Sequence, residues 1–203
     1  MSALRILLAE DIDLVAEAFQ VLLEIEPDFE IVARVNRGDL VVAAALRHRP
    51  DVALLDVDMP GRNGIEATAD LRAANVSCGI LLLTALPGYG HVPRALSAGA
   101  NGYLVKSTTG AQLARAIRTI ASGGTAIDSQ LAAQALRAGA NPLTEREVEL
   151  LRLVESGART TAIAAAMHLT PGTVRNYLSN AITKLHATTR AEAVAAGRTA
   201  GWL

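Results

Sequence analysis

The sequence is poor in cysteine, in aromatic residues and in long apolar runs. Its single cysteine, Cys78, excludes an intramolecular disulfide framework. Only 3% of the residues are aromatic, so the cores must consist mostly of Ala, Val, Leu and Ile. No stretch approaches the roughly 20 apolar residues that a membrane helix needs, and the N-terminus enters a predicted strand without a signal peptide. We therefore expect a cytoplasmic protein with no membrane partner.

Lysine is also scarce, because Lys106 and Lys184 are the only two in the chain. Arginine is used elsewhere, so a lysine at position 106 indicates a site that needs a compact point charge. The net charge of −1 is unevenly divided: residues 1–140 carry 12 Lys+Arg and 15 Asp+Glu, whereas residues 141–203 carry 7 and 5. An acidic first part and a mildly basic tail fit a carboxylate site joined to a module that binds a polyanion.

Four short apolar runs each end on a chemically active residue. Continuous apolar runs bounded by turn signals are typical of strands in a parallel sheet whose two faces are covered by helices. In such sheets ligands bind beyond the carboxyl ends of the strands. The runs are 6–9 before Glu10 and Asp11, 52–55 before Asp56, 80–83 before Thr84, and 103–105 before Lys106. Three carboxylates, a hydroxyl and an ammonium group therefore predict a phosphoryl and metal site at one edge.

The spacing of the patterns predicts two folded domains. Residues 4–122 alternate between strands and helices, with a second strand at 30–35 and helices at about 13–25, 38–48, 64–74, 91–98 and 109–122. This predicts a five-stranded, doubly wound, flavodoxin-like parallel sheet of order 2-1-3-4-5. Helical periodicity alone follows, at about 144–156, 161–167, 171–186 and 190–200. We expect an α/β domain at 1–123, a linker with a helix at 124–141, and a small all-α domain at 142–203.

The residues at the strand ends suit phosphoryl transfer. Glu10 and Asp11 can hold a hard cation such as Mg²⁺, which prefers oxygen ligands. Asp56 is then either the nucleophile that attacks phosphorus in line or a metal ligand. Lys106 can pair with the phosphoryl oxygens, and Thr84 can donate to one of them. Each residue alone also has an ordinary interpretation, since Asp and Thr are common in turns and helix caps.

The motifs around these residues resemble the receiver domain of two-component response regulators over residues 3–122. They are LLAED (7–11), LLDVDMPGRNG (54–64), LLLTA (81–85) and AGANGYLVK (98–106). The resemblance implies that Asp56 accepts a phosphoryl group from a sensor histidine kinase. It implies Mg²⁺ bound by Glu10, Asp11, Asp56 and the backbone carbonyl of Asp58. It also implies that Thr84 and Lys106 read the phosphoryl group and that the position of Tyr103 tracks phosphorylation, whereas the ordinary interpretation of Tyr103 is a half-buried edge residue.

The segment after Thr84 departs from this resemblance. Residues 86–93 contain two prolines and two glycines, which do not suit a helix interior. We expect a long or mobile loop, with a short helix beginning near Val92 or Pro93 and His91 as a loop residue. This departure keeps open a regulator that does not depend on phosphorylation.

A helix-turn-helix is predicted in the last third of the chain. Residues 163–167 form a short helix of small residues, and a turn at 168–170 leads to a longer amphipathic helix with Thr170 as N-cap and Pro171 at its first position. Short helix, turn and polar-faced helix together are typical of this DNA-binding motif. The alternative for the longer helix alone is an ordinary surface helix.

The flanking segments, NPLTEREVELLRLVESG (141–157) and TTRAEAVAAGRTAGW (188–202), complete a resemblance to the LuxR-type DNA-binding domain. The resemblance implies that the major groove is read by Arg175, Asn176, Ser179 and Asn180. It implies backbone contacts from Thr160, Thr161, Thr173 and Lys184, although family members often have Asn-Lys-Glu at 160–162. The last helix, with a predicted capping box from Thr189 to Glu192, is implied to dimerise through Ala191, Val194 and Ala195. The alternative is that these residues pack within their own domain.

With a receiver followed by a LuxR-type DNA-binding domain, the chain resembles the NarL/FixJ family of response regulators. Segments 87–106 and 170–185 look like the DesR-type subgroup of that family. The implied function is a transcription regulator, not an enzyme, in which phosphorylation switches dimerisation and binding to an inverted-repeat DNA operator. One alternative is phosphorylation-independent DNA binding with the receiver as a dimerisation module. Another is a haloacid-dehalogenase-like phosphatase, because Asp56-Val57-Asp58 resembles a DxD loop, but such loops usually follow the first strand rather than the third.

Overall fold

A computed structural model describes residues 3–85, 90–138 and 141–203 of the chain. Its internal contacts divide the chain into two compact units. The first unit consists mainly of residues up to Ala132, and the second mainly of Ala133–Leu203.

The first unit is built on one parallel sheet of six strands. The strands are β1 (Leu4–Ala9), β2 (Phe29–Val35), β3 (Val52–Asp56), β4 (Gly79–Thr84), β5 (Gly102–Val105) and β6 (Ala126–Ile127). Their order is β2-β1-β3-β4-β5-β6, and every neighbouring pair is parallel. The predicted fold class and the order of the first five strands are confirmed. The sixth strand was not predicted, because two residues do not form a recognisable apolar run.

The helices of this unit are α1 (Asp13–Glu24), α2 (Val41–His48), α3 (Gly64–Ala73), α4 (His91–Ser97) and α5 (Gly110–Ala121), with α6 (Ser129–Ala138) after the last strand. A turn of 3₁₀ helix at Gly38–Leu40 precedes α2. Helix α4 begins at His91, in agreement with the predicted range of about 91–98 and slightly before the alternative start near Val92 or Pro93, so His91 is its first residue and not part of a loop. The loop predicted before it falls largely on residues 86–89, which lie outside the described residues.

The apolar runs form the core of this unit. All five residues of β3 are buried, and so are the last five of β4. Leu54 and Leu81 pack with Leu113 and Ile117 of α5, which covers one face of the sheet. Strands buried on both faces cannot shift register without exposing apolar side chains, so the core fixes where each strand ends.

Two capping boxes help to define where helices of this unit begin. The Asn63 side chain accepts the backbone N–H of Glu66 at 2.9 Å, while the Glu66 carboxylate accepts the backbone N–H of Asn63 at 3.1 Å. Thr109 and Gln112 form the second box, at the start of α5. The start of α3 also requires glycine, since a Cβ atom on Gly64 would collide with the backbone carbonyl oxygen of Asp56. Asp56 is thereby tied to the helix that follows it.

Beyond α6, the described part of the second unit forms four helices: α7 (Glu145–Glu155), α8 (Thr160–Ala166), α9 (Pro171–Lys184) and α10 (Arg190–Thr199). Their bounds lie within two residues of those predicted. Leu150 of α7, Ile163 of α8, Val174 of α9 and Ala193 of α10 belong to one apolar core. The turn between α8 and α9 passes through His168 at φ 55°, and the N-cap of α9 is Thr170, whose side chain accepts the backbone N–H of Thr173. Among the residues described in both units, no helix is long and apolar enough to cross a membrane.

Candidate functional site

Three carboxylates meet at the carboxyl edge of the sheet. Glu10 follows β1 and Asp56 ends β3, and both are buried, with 2% and 4% of their surfaces exposed. Asp11, next to Glu10, is exposed. One carboxylate oxygen from each of the three lies within 4.8 Å of the other two. Oxygen ligands so close together, two of them shielded from water, form a site that a hard divalent cation fits.

Lys106, just after β5, places its ammonium group between the two buried carboxylates. Its Nζ lies 2.7 Å from Oε2 of Glu10 and 3.1 Å from Oδ2 of Asp56. Burial alone would lower the pKa of Lys106, but its bonds to Glu10 and Asp56 outweigh this and raise the pKa above its ordinary value. The ammonium therefore stays charged at neutral pH, and one positive charge faces two negative ones.

Burial and the charge of Glu10 together change the pKa of Asp56. Burial, followed by the charge of Glu10, raises the pKa of Asp56 from 3.8 to about 6, although Lys106 and the backbone N–H of Asp58 act in the opposite direction. The carboxylate is still mostly ionised at pH 7, but at a cost in free energy. An additional cation at this position would relieve that cost.

Thr84 lies on β4, the strand next to Asp56, and Tyr103 lies on β5, one strand further along the sheet. Thr84 ends β4 and is 2% exposed, whereas Tyr103 in β5 is fully buried. Burial raises the pKa of Tyr103 to about 12, and the neighbouring Thr84 hydroxyl only partly opposes this rise. Tyr103 is not a half-buried edge residue, because β6 pairs Tyr103 with Ile127 and takes the edge of the sheet.

The loop from β3 to α3 carries Asp58, whose side chain is exposed. This loop is held by a segment that the sequence did not single out. The backbone N–H of Gly38 donates to the carbonyl of Pro60 at 3.1 Å, and a Cβ on Gly38 would collide with the carbonyl of Arg62. Glycines at 38, 61 and 64 were the available signal. Gly38 and Gly64 mark places where two backbone segments approach too closely for a side chain, whereas Gly61 has a φ of 79° and faces the side chain of Asp39.

In the second unit, helix α9 presents the predicted polar face. Arg175, Asn176, Ser179 and Asn180 are all exposed, whereas Val174 and Ala181 of the same helix are buried. A helix with four exposed polar residues on one side and a packed apolar side can place those residues against a nucleic acid.

The residues predicted to contact the DNA backbone differ in their surroundings. Thr161 is exposed and Thr160 is half-buried, both at the start of α8. Thr173 is half-buried, and its hydroxyl lies 2.8 Å from that of Thr170, so it takes part in the cap of α9. The ammonium group of Lys184 lies 2.7 Å from a carboxylate oxygen of the buried Glu147.

Helix α10 carries the three residues predicted to dimerise. Ala191 and Ala195 are exposed and Val194 is half-buried, and all three line a surface depression of about 510 Å³. The Thr189 side chain accepts the backbone N–H of Glu192 at 3.1 Å, but the Glu192 carboxylate accepts the backbone N–H of Thr188 at 2.8 Å. The expected capping box is therefore only half formed, because the reciprocal bond reaches one residue further back.

Each of the two units matches a known protein family. Residues 6–118 match the response regulator receiver domain, and residues 141–196 match the bacterial regulatory proteins of the luxR family. The transcriptional regulatory protein DesR of Bacillus subtilis (strain 168) is 37% identical over 199 residues, covering 98% of this chain and 98% of that protein. The DNA-binding transcriptional activator DevR/DosR of Mycobacterium tuberculosis is 33% identical over 198 residues, covering 93% and 91%.

A solved structure is similar over the full length. The crystal structure of the response regulator ChrA, from a heme-sensing two-component system, covers 100% of both chains with a TM-score of 0.60 and 26% sequence identity.

Proposed function

This chain belongs to the NarL/FixJ family of two-component response regulators, and from that premise we propose that a sensor histidine kinase phosphorylates it on Asp56 in the cytoplasm. Phosphorylation then favours a homodimer that binds an inverted-repeat operator in double-stranded DNA. The observation that carries the proposal is the buried Asp56 carboxylate, which lies beside two other carboxylates and 3.1 Å from the Lys106 ammonium.

The residues at the sheet edge suit in-line transfer of a phosphoryl group. Glu10, Asp11, Asp56 and the backbone carbonyl of Asp58 would hold Mg²⁺, which supplies positive charge to the phosphoryl oxygens. The Asp56 carboxylate attacks phosphorus, and the bond between phosphorus and the imidazole nitrogen of the kinase breaks. The Lys106 ammonium already lies beside Asp56 and pairs with a phosphoryl oxygen.

The phosphoryl group changes the charge of a site that is already closely packed. It adds about −1.5 to −2 charges at neutral pH. The Thr84 hydroxyl and the Lys106 ammonium close on this charge, and Tyr103 beside Thr84 responds to the movement. Because Tyr103 is fully buried, a change in its position requires repacking around it, which favours two discrete states rather than a gradual deformation.

Helix α9 is the proposed recognition helix, which contacts the DNA bases. Arg and Asn side chains match the edges of guanine and adenine, so Arg175, Asn176 and Asn180, with Ser179, are assigned to the major groove. Thr160, Thr161 and Thr173 are assigned to the DNA backbone. In a dimer formed through Ala191, Val194 and Ala195 of α10, two copies of α9 would reach half-sites about one helical turn apart.

The phosphorylation switch is tested by measuring solution mass by light scattering, with and without Mg²⁺ and beryllofluoride. We expect a monomer that becomes a dimer, and no such change in Asp56→Asn. The matched control is Asp58→Asn, which removes an exposed carboxylate but retains the backbone carbonyl assigned to Mg²⁺, and which should dimerise like the wild type. A mass that is unchanged by beryllofluoride would overturn the switch and favour constitutive assembly.

The DNA-binding arrangement is tested by selecting duplexes from a random pool with the activated full-length chain and footprinting the result. We expect protection of two half-sites in inverted orientation. Protection of single, unpaired half-sites would contradict a two-fold dimer on DNA. Turnover of a generic phosphate ester by the purified protein would instead support the phosphatase alternative.

A further inference from the structure

Each of the two lysines of this chain binds a buried glutamate. Lys106 binds Glu10 at the sheet edge, and Lys184 binds Glu147 in the second unit. Among the described residues, Glu10 and Glu147 are the two glutamates classed as buried, each 2% exposed. The sequence predicted that position 106 needs a compact point charge. In the structure, the ammonium group at position 184 also pairs with a buried carboxylate.

The Glu147 carboxylate lies at the start of α7 and accepts three hydrogen bonds. It accepts the backbone N–H of Thr144 at 2.7 Å and the Thr144 hydroxyl at 3.0 Å, which completes the capping box of this helix. The third bond comes from the Lys184 ammonium at 2.7 Å. A buried carboxylate that lost this ammonium would be left with an uncompensated negative charge.

Lys184 is the last residue of helix α9, four residues after Asn180 and eight after Asn176. This spacing places its Cα on the same side of the helix as two residues assigned to the major groove. Its ammonium nevertheless turns to α7, so the pair joins the C-terminal end of α9 to the N-terminal end of α7.

We infer that Lys184 is a positioning residue that fixes recognition helix α9 against α7 through Glu147, and is not a ligand of the DNA backbone. This inference rests on the proposed DNA-binding function. The Lys184 side chain is 36% exposed, but its ammonium lies 2.7 Å from a glutamate that is 2% exposed, so a phosphate would compete with this carboxylate for the same positive charge. In this position Lys184 leaves Arg175 and the asparagines of α9 exposed.

Glu147→Gln is the decisive variant, because the two roles predict opposite results. Glutamine retains an oxygen for the bonds from Thr144 but lacks the charge that holds Lys184. If Lys184 contacts phosphate, removal of a neighbouring negative charge should strengthen binding to DNA. If Lys184 positions α9, the same substitution should weaken binding to the preferred sequence by about tenfold, equivalent to one good base contact.

The experiment measures affinity as a function of salt concentration for the full-length chain with Mg²⁺ and beryllofluoride. The probes are a duplex that the wild type selects from a random pool and an unrelated duplex of equal length. The variants are Glu147→Gln, Lys184→Met and their combination, at a temperature at which Trp202 fluorescence shows every variant to be folded. Arg152→Gln, which removes an exposed positive charge of α7, controls for general electrostatics.

The expected result is a similar loss of affinity for the selected duplex in both single variants, with no further loss in the double variant. Binding to the unrelated duplex should fall much less. The slope of log affinity against log salt should stay unchanged in Lys184→Met, whereas loss of a phosphate ligand reduces it by about 0.9. A reduced slope, or unchanged or tighter binding by Glu147→Gln, would overturn the inference alone. A wild-type chain that selects no duplex would overturn the proposed function together with the inference.

Discussion

Replacing the Asp56 carboxylate by an amide should stabilise the first unit in the absence of divalent cations, although it removes the proposed phosphorylation site. Asp56 and Glu10 are both buried and share the ammonium group of Lys106. Burial and the charge of Glu10 raise the pKa of Asp56 to about 6, which means that the ionised form is less favourable in the folded protein than in the unfolded chain. Asp56→Asn keeps the size of the side chain and removes this charge.

The magnitude follows from the pKa of Asp56, about 6 in the folded protein against an ordinary value of 3.8. A difference of about 2 pKa units corresponds to about 3 kcal/mol, since each unit is worth about 1.4 kcal/mol. The folded protein holds the Asp56 proton more tightly, so this contribution to stability is fully present below about pH 4 and is lost as the pH rises through about 6. The variant should therefore be more stable by up to about 3 kcal/mol at pH 7 and by little below pH 4.

Urea denaturation followed by circular dichroism, at pH 7 in the presence of EDTA, measures this difference. Asp58→Asn is the control, because its carboxylate is exposed, and it should change the free energy of unfolding by less than about 0.5 kcal/mol. Mg²⁺ should stabilise the wild type by mass action and reduce the advantage of Asp56→Asn. If Asp56→Asn is less stable than the wild type in EDTA, the reasoning about unbalanced negative charge is wrong.

Three further predictions concern the cores and the second unit. Leu54→Ala, in the middle of the fully buried strand β3, should lower the free energy of unfolding by about 2–5 kcal/mol in urea denaturation. Thr170→Ala removes the N-cap of α9 and should destabilise the second unit by about 1 kcal/mol, as measured by the fluorescence of Trp202, the only tryptophan. Burial alone would raise the pKa of Glu147, but its bonds from Lys184 and Thr144 hold the pKa below the ordinary value. The ionised Glu147 carboxylate therefore stabilises the folded protein above about pH 4.5, and this stabilisation is lost as the pH falls further. In acid titrations read by Trp202, Glu147→Gln should lose less stability than the wild type below pH 4.5, and parallel curves would contradict this.

The strands and the site at their ends could be predicted because one physical requirement produces both. A strand buried on two faces needs a continuous apolar run, and the residue that ends the run lies at the edge where ligands bind. Asp56 and Lys106 are 50 positions apart in the sequence, yet their places at the ends of β3 and β5 were enough to predict that they meet.

Features that depend on contacts between elements could not be predicted in this way. Strand β6 has two residues and is formed by pairing with β5, so it left no pattern in the sequence, although it turns Tyr103 from an edge residue into a buried one. The periodicity of α9 places Lys184 beside Asn180 but carries no information about α7. A flexible lysine side chain can reach either DNA or a neighbouring helix, and only the position of Glu147 decides between them.

Because the sequence contains only two lysines, both can be labelled as spectroscopic probes. Reductive methylation with ¹³C-formaldehyde retains the charge of an ammonium group and labels only Lys106, Lys184 and the N-terminal amine. Each labelled lysine lies beside a buried carboxylate, one in each unit, so each methyl signal reports a different part of the chain. Adding Mg²⁺ and beryllofluoride, and then DNA, would show in a single sample whether a change at the sheet edge and a change at the recognition helix occur together or one after the other.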